Sequence, residues 1–306
     1  MNRLARLGPL ALSATLLVGC GAGELDPGIE EGDEFDERSS ELAHYHCGTR
    51  ALTGAEVARI EGGLGTRRAQ AFAPLAPGSV TVPVWVHVIR DSGGAGDIPD
   101  SRIKAQINVL NNAYGGLTGG LATRTPFRFQ LAGIDRTNNS SWYTMTPDSA
   151  AEAKAKAALR RGDPKTLNLY FANIGGGLLG WATFPWEAHA APLADGVVLL
   201  SGSEPGGAAA PYNQGATATH EVGHWLGLYH TFQGGCSRTG DSVGDTPAQR
   251  YPTSGCPSRA VDSCTGSRYT GLDPVHNFMD YADDGCMYEL TPGQSSRADA
   301  AWQSYR

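Results

Sequence analysis

Apolar and polar residues alternate through "TVPVWVHVIR" (81–90), a valine-rich run that predicts a β-strand. Ile103, Ile107 and Leu110, with Tyr114 beyond, recur on one helical face, and Asp100 or Ser101 stands where it can cap that helix. "FRFQLAGI" (127–134), "TLNLYFANI" (166–174) and "DGVVLLS" (195–201) read as further strands, and Ala150 to Arg160 as a second helix. Strands alternating with helices predict a mixed α/β layer. "HEVGHWLGLYH" (220–230) then falls on a helix after the last of these strands.

The chain ahead of the first strand has a different character. Arg3 and Arg6 precede an apolar stretch, Leu10 to Val18, which ends in "LVGC". This order resembles the bacterial lipoprotein signal, and it implies removal of residues 1–19 and lipidation of Cys20. The following residues, "GAGELDPGIEEGDEFDERSSE", are acidic and too poor in apolar side chains to offset their chain entropy, so 20–45 reads as a flexible tether. Within 46–78, Thr53 can cap a short helix through Ile60, which the following glycines would end. That stretch is too short for a domain and reads as a propeptide, leaving residues 79–306 as the globular part.

Composition excludes one class of function. The chain of 306 residues carries 24 Lys and Arg against 31 Asp and Glu, a formal charge of -7, and its basic residues are scattered, so nucleic acid is not an expected partner. Its 41 glycines and 18 prolines predict much irregular chain, without an internal repeat.

The histidine stretch carries the chemistry. His220 and His224, four residues apart, lie one turn apart on the same helical face and can reach one ion. Glu221 can point to the same place without binding, as a general base acting on water requires. Gly227 can end the helix and bring His230 back as a third nitrogen ligand, which leaves the fourth position open, the arrangement of a catalytic zinc. Trp225, Leu226 and Leu228 read as packing residues, while His44, His46, His87, His189 and His276 lack ligand spacing and read as packed or solvated.

The extended zinc motif followed by "NFMDY" (277–281) resembles the metzincin clan of zinc peptidases, with Met279 at the Met-turn beneath the metal. "GGGLLGWATFP", "DGVVLL", "GGAAAPYNQGATATHEVGHWLGLYHTFQGGC", "GDTP", "GLDPVHNFMDYADDGCM" and "LTPGQ" are more specifically similar to blocks of the pappalysin family, in family order. The resemblance implies an α+β, metzincin-type fold: an upper subdomain with a twisted, mostly parallel five-stranded sheet and two long helices, and an irregular lower subdomain after Gly227. It also implies a zinc endopeptidase acting on protein or peptide substrates, with Glu221 as the base and Tyr281 donating to the oxyanion. Substrate is expected to add as a strand along the edge near "GLLGWATF". Asp283 and Asp284 offer a negative pocket beyond the Met-turn, although Gly285 stands where relatives carry an acid. Another metzincin subfamily, or a catalytically inactive zinc-binding surface lipoprotein, is the alternative.

Cysteines and acids complete the reading. Cys236, Cys256, Cys264 and Cys286 allow three pairings, and none has the close spacing of a structural zinc site. The family pattern implies Cys236 with Cys264 and Cys256 with Cys286. Cys47, in "HCGTR", is left over and resembles the cysteine switch of related zymogens, in which a thiolate takes the open zinc position. A cut at "GTRR" (65–68) would then separate the enzyme from both Cys47 and the lipid, so the expectation is an exported, membrane-held latent precursor that releases a soluble protease. Asp241, Asp245 and the carbonyl of Thr246 are expected as oxygen ligands of a structural calcium ion, which the family commonly binds in this region. The sequence does not fix the natural substrate or the oligomeric state.

Overall fold

The structure, a computed structural model, describes residues 46–69 and 73–306, without the side chains of 67–69. The expected signal, Cys20 and the acidic tether lie outside the described residues.

Five strands form one sheet: β1 (Val80–Arg90), β2 (Phe127–Asn138), β3 (Leu167–Ala172), β4 (Gly180–Ala182) and β5 (Val197–Leu200), in the order β2-β1-β3-β5-β4. Neighbours are parallel except β4, which runs antiparallel to β5. This is the mostly parallel five-stranded sheet that the family resemblance implies. The alternation in β1 has a direct physical outcome: Val82, Val84, Val86 and Val88 enter one core, and Ile89 enters the other.

Among the described residues the α-helices are α1 (Gly54–Ala69), α2 (Asp100–Tyr114), α3 (Ser140–Tyr143), α4 (Ala150–Leu159), α5 (Pro185–Ala190), α6 (Ala216–Trp225) and α7 (Pro292–Tyr305). In the larger core Ile103, Ile107 and Leu110 of α2 meet the valines of β1, Val222 and Trp225 of α6, and Trp302 of α7. Burying each such aliphatic side chain stabilises the fold by roughly 1.5–3 kcal/mol. On the opposite face Ile89, Tyr170 and Val198 pack with Ala155 and Leu159 of α4.

Several local expectations need correction. Neither Asp100 nor Ser101 caps α2: Pro99 is its N-cap residue, with no side-chain bond, and the Asp100 carboxylate instead accepts from Arg136 at 2.6 Å. Thr53 does cap α1, exchanging bonds with Glu56, but the helix does not stop at Ile60. It continues through Gly62, Gly63 and Gly65 because Ile60 and Leu64 are buried against Phe184, Tyr229 and Ala301, and this burial outweighs the ~1 kcal/mol helix penalty of each glycine. "GTRR" therefore lies on the last turns of a helix. Of the two long helices expected, α2 has 15 residues, whereas α6 has only 10, and the 14-residue α7 is a third that the hydrophobic pattern does not announce.

Between α6 and α7 the chain holds only a 3-10 turn, Asp284–Cys286, and a single β-bridge. Disulfides Cys236–Cys264 and Cys256–Cys286 tie this segment, with Cα atoms 5.4 and 5.6 Å apart. This is the pairing that the family pattern implies. In the chain-entropy picture, loops of this length contribute roughly 3–4 kcal/mol each when closed.

Candidate active site

The site is built on α6. Its N-cap residue Gly215 has no side chain to offer, and the Asp284 carboxylate substitutes, its Oδ2 accepting from the backbone of Gln214 at 2.7 Å and Ala216 at 3.3 Å. At the other end the Leu228 amide donates to the Gly223 carbonyl at 2.9 Å, closing a turn whose central residue, Gly227, has φ +95°. That left-handed turn reverses the chain and returns His230 to the helix it has just left. Gly223 serves a different need: a Cβ there would lie 2.3 Å from the Met279 Sδ, so the Met-turn packs directly under the helix.

The three histidines meet. His224 Nε2 lies 3.1 Å from His220 Nε2 and 3.0 Å from His230 Nε2. The outer nitrogens of the first two are occupied, His220 Nδ1 by the Phe278 carbonyl at 2.7 Å and His224 Nδ1 by the Leu228 carbonyl at 2.8 Å. A carbonyl only accepts, so each Nδ1 carries the proton and each inward Nε2 presents a lone pair. Burial keeps these rings neutral: it pushes the His220 pKa down to about 4, and it holds His224 and His230 well below the usual range, with help from their histidine neighbours.

Lone pairs facing one another in a buried place require a cation. Nitrogen ligands about 2.0–2.1 Å from a tetrahedral zinc would lie roughly 3.3 Å apart, close to the spacing found. The donor set therefore fits zinc. Cys47 Sγ joins the three imidazoles, the four ligand atoms all lying within 4.8 Å of one another. Among the described residues this is the one group of three or more His, Cys, Asp or Glu side chains so arranged.

Glu221 is almost fully buried beside this group. Its Oε2 accepts from the Cys47 thiol at 3.5 Å and from Thr49 Oγ1 at 2.9 Å. Burial pushes its pKa up to about 8, against the opposing effect of these two bonds. Burial, and then the Glu221 carboxylate, push the Cys47 thiol up as well. Tyr281 Oη lies 3.2 Å from His230 Nε2, and Met279 is fully buried.

The edge strand expected to receive substrate is already covered. Gly48 donates to the Gly180 carbonyl and Leu179 to the His46 carbonyl, both at 2.8 Å, so His46 to Gly48 runs parallel to β4. His46 is thus part of the cleft, its ring against Tyr212 and Tyr281. Thr49 is a residue that sequence reasoning misses. Its hydroxyl donates to Glu221 and accepts from Ala182 of β4 at 2.9 Å, and its place two positions after Cys47 is the only signal. His87 is packed as expected, between Asp135 and Asn168 at 2.9 Å each.

The acidic expectations fare differently. Asp284 Oδ1 makes no hydrogen bond and, with the equally unbonded Oγ1 of Thr217, lines the cleft beside His220 and Glu221. Asp241, Asp245 and Thr246 line one pocket, where the Thr246 hydroxyl and the Asp245 carboxylate have protein partners. The Asp245 carboxylate is taken by Thr291 at 2.7 Å and Gly293 at 2.8 Å, at the start of α7. Thr246 Oγ1 donates to Asp241 Oδ1 at 2.7 Å. Only the buried Asp241 Oδ2 is left without a partner.

Comparison with known proteins agrees with this geometry. Residues 164–302 match the peptidase family described as Pregnancy-associated plasma protein-A. An extracellular metalloprotease of Podospora anserina is 46% identical over 235 residues, covering 74% of this chain and 75% of its own length. One from Pyricularia oryzae is 44% identical over 232 residues, covering 74% and 77%. Among solved structures, a promirolysin mutant of Tannerella forsythia superimposes with a TM-score of 0.70 at 31% identity, over 85% of this chain and 95% of the other. Mature mirolysin of the same organism, in complex with a cleaved peptide, gives 0.61 at 36% identity, over 72% and 90%.

Proposed function

The chain belongs to the pappalysin family of metalloproteases, and from that premise we propose that it is a zinc endopeptidase, made as a lipid-anchored latent precursor, that hydrolyses extended protein substrates. The observation that carries this reading is the convergence of three neutral imidazole nitrogens beside one buried carboxylate.

His220, His224 and His230 would hold the metal. When bound, zinc supplies Lewis-acid polarisation of the scissile carbonyl and lowers the pKa of the attacking water towards about 7. Glu221 accepts the proton of that water and returns it to the leaving amine. Tyr281 donates its phenolic hydrogen to the oxygen that gains charge. The substrate backbone pairs with β4 once that edge is vacated. Met279 supports the helix from below by packing against Gly223.

In the precursor, Cys47 takes the place that water needs, and Thr49 holds the base. Cys20 lipidation would tether this form to a membrane or cell surface until residues upstream of 79 are cut away. A calcium ion at Asp241 is a secondary, structural reading, supported by the unpartnered Oδ2 alone.

The test is metal content together with peptide hydrolysis for wild type, Cys47→Ala and Glu221→Gln. One zinc per chain, hydrolysis by Cys47→Ala and none by Glu221→Gln is the expected result. Zinc bound at one per chain with no hydrolysis by Cys47→Ala would sink the catalytic reading and favour a zinc-binding surface lipoprotein.

A further inference from the structure

Resting on the latent-protease reading above, we propose that α1 is a docking helix with Glu61 as its latch. A cut after α1 then leaves residues 46–69 seated as a separable inhibitor.

The contact is specific. Arg297 of α7 gives Nη2 to Glu61 Oε1 at 2.7 Å and Nη1 to Glu61 Oε2 at 2.8 Å, a two-pronged, charge-assisted pair. The Tyr229 hydroxyl donates to the same carboxylate at 3.0 Å. The Arg297 side chain is only 6% exposed. On either side of Glu61, Ile60 and Leu64 are buried with Tyr229, Phe184 and Ala301, so a charged anchor lies between two apolar ones.

The receptor is built by the catalytic part itself. Arg297 Nε donates to the Gly227 carbonyl at 2.9 Å, and its guanidinium lies 4.2 Å over the Tyr229 ring. Neither contact needs Glu61, so the seat is preorganised. Gly227 is the turn between His224 and His230, which joins the latch to the segment that shapes the metal site. The prosegment is therefore held at Cys47 by the cleft and at Glu61 behind it, with Arg50 Nη2 on Glu187 Oε1 at 3.0 Å and Gln233 Nε2 on the Leu52 carbonyl at 3.2 Å between them.

Residues 73–79, between α1 and β1, bond elsewhere: Leu75 N–H to Asp299 at 2.9 Å and Gly78 N–H to the Thr125 carbonyl at 3.0 Å. A cut there breaks none of the contacts of Cys47 or Glu61 and only converts an intramolecular clamp into a bimolecular one. Residues 65–68, being helical, do not present the extended strand that a protease takes, whereas 73–77 do not form part of a helix or strand. Cutting and activation thus become separate events.

The test uses the full chain with a site-specific protease sequence inserted at 76–78, as wild type, Glu61→Gln and Ile60→Ser. After nicking, retention of the prosegment fragment is followed by size-exclusion chromatography over a dilution series, alongside hydrolysis of a reporter peptide. Wild type should keep its fragment and stay latent at micromolar concentration, then gain activity on dilution. Both variants should lose the fragment at a concentration at least tenfold higher. Immediate loss of the wild-type fragment on nicking, or an unchanged dilution midpoint in Glu61→Gln, would overturn the proposal. Retention is read without catalysis: if the fragment behaves as expected but no released chain cleaves peptide, the latch stands and the protease reading fails.

Discussion

Cys47 and Glu221, 174 residues apart in sequence, meet across the candidate active site with Sγ 3.5 Å from Oε2. A single side chain thereby occupies both the metal side of the cleft and the group that would move the proton.

Removing that thiol should separate latency from catalysis. Cys47→Ala in the uncut chain should raise peptide hydrolysis at least tenfold, while Glu221→Gln should lower the activity of the released enzyme by about 10²–10⁴, the usual size of a general-base effect. Initial rates on a quenched fluorescent peptide check both. An uncut Cys47→Ala as silent as wild type would leave Cys47 without a role in latency.

Metal removal should act on stability as well as on rate. Three inward lone pairs without a cation repel one another, so chelation should abolish hydrolysis and lower the melting temperature, and added zinc should restore both. Differential scanning fluorimetry and metal analysis read the outcome. A melting temperature indifferent to a chelator that strips the metal would contradict the convergence of His220, His224 and His230 on an ion.

Tyr281→Phe keeps the ring packed on Phe232 and His230 and removes only the hydroxyl. If the hydroxyl stabilises the oxyanion, kcat should fall by about 10²–10³ while KM changes little. An unchanged kcat would leave Tyr281 as a packing residue.

Gly223→Ala tests the seat of the Met-turn. The added Cβ would stand 2.3 Å from Met279 Sδ, and forced overpacking of this kind costs about 1–3 kcal/mol. Denaturant melts should show the loss, and Met279→Ala, which opens space, should relieve part of it in the double variant.

Asp241 gives a calcium test. Calcium should raise the melting temperature of wild type and leave that of Asp241→Asn unmoved, since the spare Oδ2 is what the ion would bind. Equal responses in the two chains would remove calcium from this loop.

What the sequence determined by itself is local geometry. His220 and His224 share a face because 3.6 residues make a turn, Gly227 permits the left-handed turn that returns His230, and the alternation through 81–90 requires a strand with two unlike faces. These rest on rules that span a few residues, and the mixed α/β layering and the histidine cluster were legible for that reason, whereas the metzincin-type arrangement was implied by family resemblance. Only the tertiary structure decided what lies far apart in the chain. It carried Cys47 and Thr49 onto Glu221, joined Glu61 to Arg297 across 236 residues, turned the Asp284 carboxylate into the cap of α6, and bound the Asp245 carboxylate to Thr291 at the start of α7. It also carried α1 through three glycines, because burial of Ile60 and Leu64 on the catalytic part outweighs local propensity, and no pattern within the helix records the surface it will meet.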